Sequence, residues 1–248
     1  MASDNAIEVK NAFKSFGKTN ILKGINFSLK KGEVIALLGD NGAGKSTLIK
    51  CLCGYEKFDK FECFNILDTP IKQSEFSLLK ARNLGVEVVF QDSSLGLSQE
   101  IYRNIFATRH ITKFGFIDKK KEIEISNQIL KEFMGFSGAG IDATSLASNL
   151  SGGEKQGLAI ARAIYFKSQI LILDEPTTAL GVNETQRFMG FLDRLKEQNL
   201  SIIIITHNLN HAFHIADKFV LLQGGMIQKE LDKSEVCDLN SLYKVFYE

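Results

Sequence analysis

The stretch GDNGAGKST, from Gly39 to Thr47, carries the residue types that could hold a phosphate. Gly39, Gly44, Lys45 and Ser46 fit the spacing G-x-x-x-x-G-K-[ST]. The flanks, EVIALL before it and STLIKCLC after it, read as a strand and a helix. Glycines let the backbone curl so that successive N–H groups point at phosphate oxygens. The helix N-terminus adds partial positive charge at the same place. Within the loop, Asn41, Gly42 and Ala43 would supply backbone amides beside those of Gly44 to Thr47. Lys45 would reach the β- and γ-phosphates of a nucleotide, and Ser46 would offer its hydroxyl to Mg²⁺.

Hydrolysis of such a nucleotide also needs an acid to anchor the metal and a base for the attacking water. ILILDEP (170–176) places Asp174 and Glu175 at the end of a strand, the edge where open α/β sheets bind ligands. Asp174 would hold the metal through its water shell, and Glu175 would point the other way and polarise the water. A second anion site lies in NLSGGEKQGLAIARAI (149–164). Ser151 sits at an N-cap with Glu154 three residues on, the pattern of a capping box. Gly152 and Gly153 leave bare N–H groups at that helix start. One chain has no use for two such sites on one phosphate unless the second serves a partner's nucleotide. The pattern therefore predicts a dimer with ATP between the subunits.

Two other groupings invite a metal and do not sustain one. His207, His211 and His214 are spaced H-x3-H-x2-H, but the first falls at a strand end and the others on the following helix, with no carboxylate cluster beside them. Cys51 and Cys53 fall two apart on the helix after the glycine loop, and Cys63 and Cys237 complete no tetrahedral set. Buried or idle thiols in a reducing compartment are expected.

Apolar runs at 34–39, 86–90, 170–174, 201–206 and 218–223 read as strands. Most lack alternation, as parallel strands covered on both faces do. Helical patterns at 45–53, 120–135, 153–166, 183–197 and 208–216 lie between them. The repeat of strand then helix predicts an α/β domain with a parallel sheet. IEVKNAFKSF and INFSLKK add an antiparallel portion at the front, and the middle of the chain reads as an inserted, mostly helical subdomain closing on the Gly/Ser-rich turn GFSGAGID. The expected organisation is one domain over 1–248: a nucleotide-binding core of 1–91 and 158–248, and a helical subdomain of 92–157. At 248 residues, 44% hydrophobic and 24% charged, the chain is an ordinary globular protein, and a net charge of +1 gives no reason to expect nucleic acid. The start carries no signal-peptide pattern, and no apolar run approaches a membrane span of ~18 residues.

Taken together, the motifs resemble those of the nucleotide-binding subunits of ABC transporters, in order across nearly the whole chain: Walker A (GDNGAGKST), Q-loop (VFQD), signature (LSGGE), Walker B (ILILDE) and switch (ITHN). The resemblance implies a P-loop NTPase fold with a RecA-like parallel core. It implies that Phe16, in KSFG, stacks on adenine, that Gln91 touches Mg²⁺ and the water while linking to the helical subdomain, and that His207 contacts the γ-phosphate. Ser151, Gly152 and Gly153 would bind the partner's γ-phosphate. The implied partners are a second copy of the chain, transmembrane permease subunits and, indirectly, an extracytoplasmic solute-binding protein. The implied location is the cytoplasmic face of the membrane.

The chain departs from the superfamily at two points. Most relatives carry an aspartate in the loop after Walker B, where this chain has Gly181 in TTALGVNE. Turn glycines are usual near 58–70, where Phe61 and Asp68 stand instead, which puts the turn geometry in question. TALGV, with Asp40 and Asn41 in the loop, IARAIYF and THNLNHAF, resembles the ATPases of simple-sugar importers. An ABC ATPase of another transporter, or a soluble scaffold such as an iron–sulfur assembly factor, stays open. The long coiled-coil insertion of DNA-repair types and the second module of translation factors are absent.

Overall fold

The structure, a computed structural model, describes residues 4–91, 95–134, 140–178 and 180–247. Part of the expected turn GFSGAGID, Asp92 of VFQD and Ala179 of TALGV fall outside those residues.

The chain opens with a long antiparallel hairpin, β1 (Asn5–Phe16) and β2 (Thr19–Lys30). It passes through β3 (Val34–Leu38) and α1 (Lys45–Leu52) before β4 (Cys63–Ile66) and β5 (Thr69–Pro70) return to the hairpin. This antiparallel sheet has the order β2-β1-β4-β5. The turn in question closes without glycine. Ile66 pairs with Thr69, and the two residues between them, Leu67 (φ 45) and Asp68 (φ 63), both take the left-handed conformation that a two-residue hairpin turn requires. Phe61 is spent differently: its ring packs edge-on to Phe58 and Phe64.

Next come α2 (Leu78–Asn83), β6 (Val86–Val89), α3 (Ile101–Phe106), the short pair β7 (Thr112–Lys113) and β8 (Phe116–Ile117), α4 (Lys119–Met134) and α5 (Gly152–Tyr165). The chain ends with β9 (Ile170–Asp174), α6 (Val182–Glu197), β10 (Ser201–Ile205), α7 (Leu209–Ile215), β11 (Lys218–Gln223), β12 (Met226–Asp232) and α8 (Leu239–Tyr247). The main sheet has the order β12-β11-β3-β10-β9-β6, parallel except for β12 at one edge.

Both faces of this sheet are covered, which explains the missing alternation. Ile35, Leu37, Ile172 and Ile203 face a core shared with α1 and the front hairpin. Val34, Ala36, Leu171 and Ile202 face a second core, closed by α6 and α7. A third cluster, with Ile101, Ile105, Phe106, Ile129 and Leu130, lies among α3, α4 and α5. Helix α5 serves two cores at once, giving Leu158 and Ala161 to the third and Ala159, Ile160 and Ala163 to the second.

The middle is not all helix. The β7–β8 hairpin interrupts it, turning at Phe114 (φ 53) and Gly115 (φ 84), because TKFGFI supplies a glycine turn between two-residue strands. Cys51 and Cys53 are both buried, and burial pushes their thiols up to about 12 and about 11. No helix among the described residues is long and apolar enough to cross a membrane.

Candidate functional site

The glycine loop emerges at the C-terminal end of β3, beside the ends of β10 and β9. Gly39 has φ 142, and a Cβ there would lie 2.0 Å from the Leu222 carbonyl oxygen, so only glycine fits. Gly44, at φ 106, caps α1 in the left-handed region. Asn41, Gly42 and Ser46 are exposed, Thr47 is half-buried, and Ala43 and Lys45 are buried. Lys45 Nζ donates to the carbonyls of Gly39 (2.6 Å) and Asp40 (2.9 Å), which draws the ammonium back over the loop. Burial lowers the Lys45 pKa, opposed by Glu175, Asp174 and Asp40.

Strand β9 delivers the two carboxylates. Asp174 is buried, and its carboxyl is raised above the usual range first by burial and then by Glu175. A hydrogen bond with the Ser46 side chain, with Lys50 and Lys45 nearby, pulls it the other way. Glu175 adopts φ 50, and its backbone N–H donates to the Ile205 carbonyl at 3.0 Å. Its Oε2 lies 2.8 Å from His207 Nδ1 and accepts a bond from the Thr178 hydroxyl at 3.4 Å. Asp174 therefore serves the Ser46 side and Glu175 the His207 side. A cleft of about 170 Å³ runs between the loop and the switch, lined by Gly39, Asp40, Asn41, Thr206, His207 and Gln223 among others.

The remaining expected residues lie around this centre. Phe16 ends β1, 48% exposed, with Lys14 Nζ 4.8 Å from the ring centroid. One face of the ring is thus taken by a cation. Gln91 is exposed one residue past Phe90, whose ring packs on Tyr55. Ser151 caps α5: its hydroxyl accepts from the Glu154 N–H at 3.3 Å, and Glu154 Oε2 accepts from the Ser151 N–H at 2.6 Å. Gly152 and Gly153 follow, half-exposed. Among the described residues, this turn bonds with Glu154 and Lys155 and not with the glycine loop. Gly181 donates its N–H to Glu184 Oε2 at 3.0 Å, and a Cβ at Gly153 would lie 3.0 Å from Leu180. The loop after β9 therefore lies against the α5 turn.

Two supports escaped the sequence reading. The Gly225 N–H donates to the Ala43 carbonyl at 3.1 Å, and Lys23 donates to Gly225 at 2.9 Å, so the β11–β12 turn backs the glycine loop. The two adjacent glycines after β11 were the available signal. His211 Nδ1 lies 3.3 Å from the Thr177 hydroxyl, and its Nε2 lies 3.4 Å from Asn208, tying the segment after Glu175 to the cap of α7. The other histidines disperse, His207 to Glu175 and His214 to Asp193.

Residues 22–178 match the family model described as ABC transporter. The chain belongs to the ABC transporter family. Among its relatives, the xylose/arabinose import ATP-binding protein XylG of Sulfolobus acidocaldarius is 38% identical over 97% of this chain and 94% of that protein. The ribose import ATP-binding protein RbsA of Caldanaerobacter subterraneus is 36% identical over 93% of this chain, which spans only 45% of that relative's length. Among solved structures, an ATP-binding cassette captured as a dimer in a post-hydrolysis state with ADP and Pi aligns with TM-score 0.76 at 24% identity, covering 92% of this chain and 98% of that one. The fold is that of the ABC cassette, a P-loop α/β core with an antiparallel sheet and a helical insertion.

Proposed function

We propose that this chain is the ATP-hydrolysing subunit of an importer of a simple sugar, working as a pair that closes on two ATP molecules. The observation that carries the reading is the meeting of Lys45, Asp174, Glu175 and His207 at neighbouring strand ends beside the glycine loop. In this reading the loop from Gly39 to Thr47 cradles the phosphates, and Phe16 stacks on the base with the face Lys14 leaves free. Glu175, oriented by His207, takes a proton from the attacking water. Gln91, exposed just past the end of β6, would touch Mg²⁺ and the water and link the core to the helical subdomain.

Ser46 and Asp174 suit Mg²⁺. They meet through a hydrogen bond, and the Asp174 carboxyl is burdened by burial and a neighbouring carboxylate, a strain that a divalent cation would relieve. Bound there, Mg²⁺ would neutralise charge on the β- and γ-phosphates.

Among the described residues, the turn at Ser151, Gly152 and Gly153 makes no hydrogen bond to the chain's own glycine loop, which leaves it free for use on a partner's γ-phosphate. Closure would be passed through the helical subdomain to permease subunits at the cytoplasmic face of the membrane, fed by an extracytoplasmic solute-binding protein. The sugar is inferred from the relatives, import ATP-binding proteins for xylose/arabinose and for ribose. Two measurements test the proposal. Glu175→Gln with ATP and Mg²⁺ is expected to elute as a dimer, and a nucleotide-bound monomer would refute the pairing. Loss of the gene is expected to abolish uptake of a labelled pentose or hexose, and intact uptake of all of them would refute the sugar.

A further inference from the structure

The apolar edge strand β6, VEVV, holds one carboxylate, Glu87, only 1% exposed. Three guanidinium groups surround it. Arg82 comes from α2, on the core side, with Nε 3.6 Å from Oε2. Arg162 comes from the last turn of α5, with Nη2 3.5 Å from Oε2. Arg109, in the segment after α3, donates to Oε1.

An ionised group in such a place is tolerated only when paired, and here one carboxylate answers three cations. Among the described residues, the charged groups acting on Arg162 are Glu87, which favours its charge, and Arg82 and Arg109, which oppose it. Arg82 Nε and Arg162 Nε are buried and have no hydrogen-bond partner among the described residues. The Arg109 guanidinium also lies 4.4 Å over the ring of Phe166, the residue that caps α5. Two of the three cations, Arg109 and Arg162, therefore come from the stretch running from α3 to the end of α5, and the anion belongs to the strand that runs on to Gln91. Burial makes this junction sensitive to charge: without Glu87, three like charges would face one another in a poorly solvated space.

We propose that Glu87 is a positioning residue, clasping the helix that bears the 151–153 turn, and the segment after α3, onto the edge strand of the core. The clasp fixes the angle at which that turn is offered to a partner. It rests on the reading that two copies close on ATP through the turn.

The test uses the Glu175→Gln chain, in which the dimer accumulates. Adding Glu87→Gln, which keeps the shape and removes the charge, is expected to raise the ATP-dependent dimer dissociation constant at least tenfold. The affinity of the monomer for a fluorescent ATP analogue should stay within twofold. Glu87→Asp is expected to recover most of the dimer affinity. Should Glu87→Gln fail to fold, as judged by circular dichroism, Arg109→Gln at the rim of the cluster carries the same expectation. An unchanged dimer constant overturns the clasp, and so does a fall in melting temperature with dimerisation intact, which would make Glu87 a folding residue only. If the Glu175→Gln parent never dimerises on ATP, the paired reading fails first and the clasp falls with it.

Discussion

His207 Nδ1 lies 2.8 Å from Glu175 Oε2, joining the residue after β9 to the residue two past β10. The backbone reinforces this contact, because Glu175 is held at φ 50 by the bond from its N–H to the Ile205 carbonyl. A non-glycine residue in that conformation carries strain of order 1–3 kcal/mol, and such strain gathers where a side chain must be aimed.

Replacing Glu175 by Gln preserves the shape and removes the base. Turnover is expected to fall by about 10²–10⁴-fold, the usual worth of a general base. Phosphate release measured at saturating ATP checks this, and wild-type turnover would exclude Glu175 as the base. His207→Ala leaves the carboxylate present but unaimed, so its loss should appear in kcat more than in nucleotide affinity.

Gly39 and Gly42 should respond differently to alanine. A Cβ at Gly39 meets the Leu222 carbonyl at 2.0 Å, whereas at Gly42 nothing lies within 4 Å. Gly42→Ala carries only the left-handed backbone penalty of about 1–2 kcal/mol. Gly39→Ala adds a backbone clash, and overpacking of that kind costs about 1–3 kcal/mol more. Urea denaturation of the nucleotide-free chain is expected to rank them in that order.

The sheet was legible because its strands are short apolar runs between helical patterns, and both faces are buried. The glycine loop and the strand-end acids were legible because their chemistry fixes residue type and spacing together. Four features were not. The turn at Leu67 and Asp68 uses left-handed residues other than glycine. The β7–β8 hairpin has strands of two residues, too short for any period to register. Gly225 and His211 act through contacts with residues far away in the chain, which no local pattern encodes. Glu87 stood in plain view inside VEVV, but its three partners come from three separate segments.

Ser151 has a local role and a proposed distant one, and two substitutions separate them. Ser151→Ala removes the cap of α5 and is expected to cost about 1 kcal/mol of stability. Ser151→Asp keeps a good capping oxygen, so stability should return. The added negative charge would face the partner's phosphate, so ATP-driven dimerisation should not. Chemical denaturation and light scattering on the two variants, in the Glu175→Gln chain, check the separation. Dimerisation that tracks stability in both would confine Ser151 to capping.

Asp174 predicts a gain of stability on loss of function. Its carboxyl is raised in the folded chain by burial and by Glu175. A raised acid binds protons more tightly when folded, so stability falls as pH climbs from the unfolded value, about 3.9, through the higher folded one. Above that window the burden of the charge is fully present; below it the burden disappears. Asp174→Asn removes the charge at every pH. Without nucleotide or Mg²⁺, Asp174→Asn is expected to melt above the parent at pH 8, with the gap shrinking as the pH is lowered toward 4. Mg²⁺-dependent hydrolysis should be lost at all of these values. A gap independent of pH would mean that the gain comes from packing and not from the buried charge, and a lower melting temperature at pH 8 would mean that Ser46, Lys45 and Lys50 outweigh the burial.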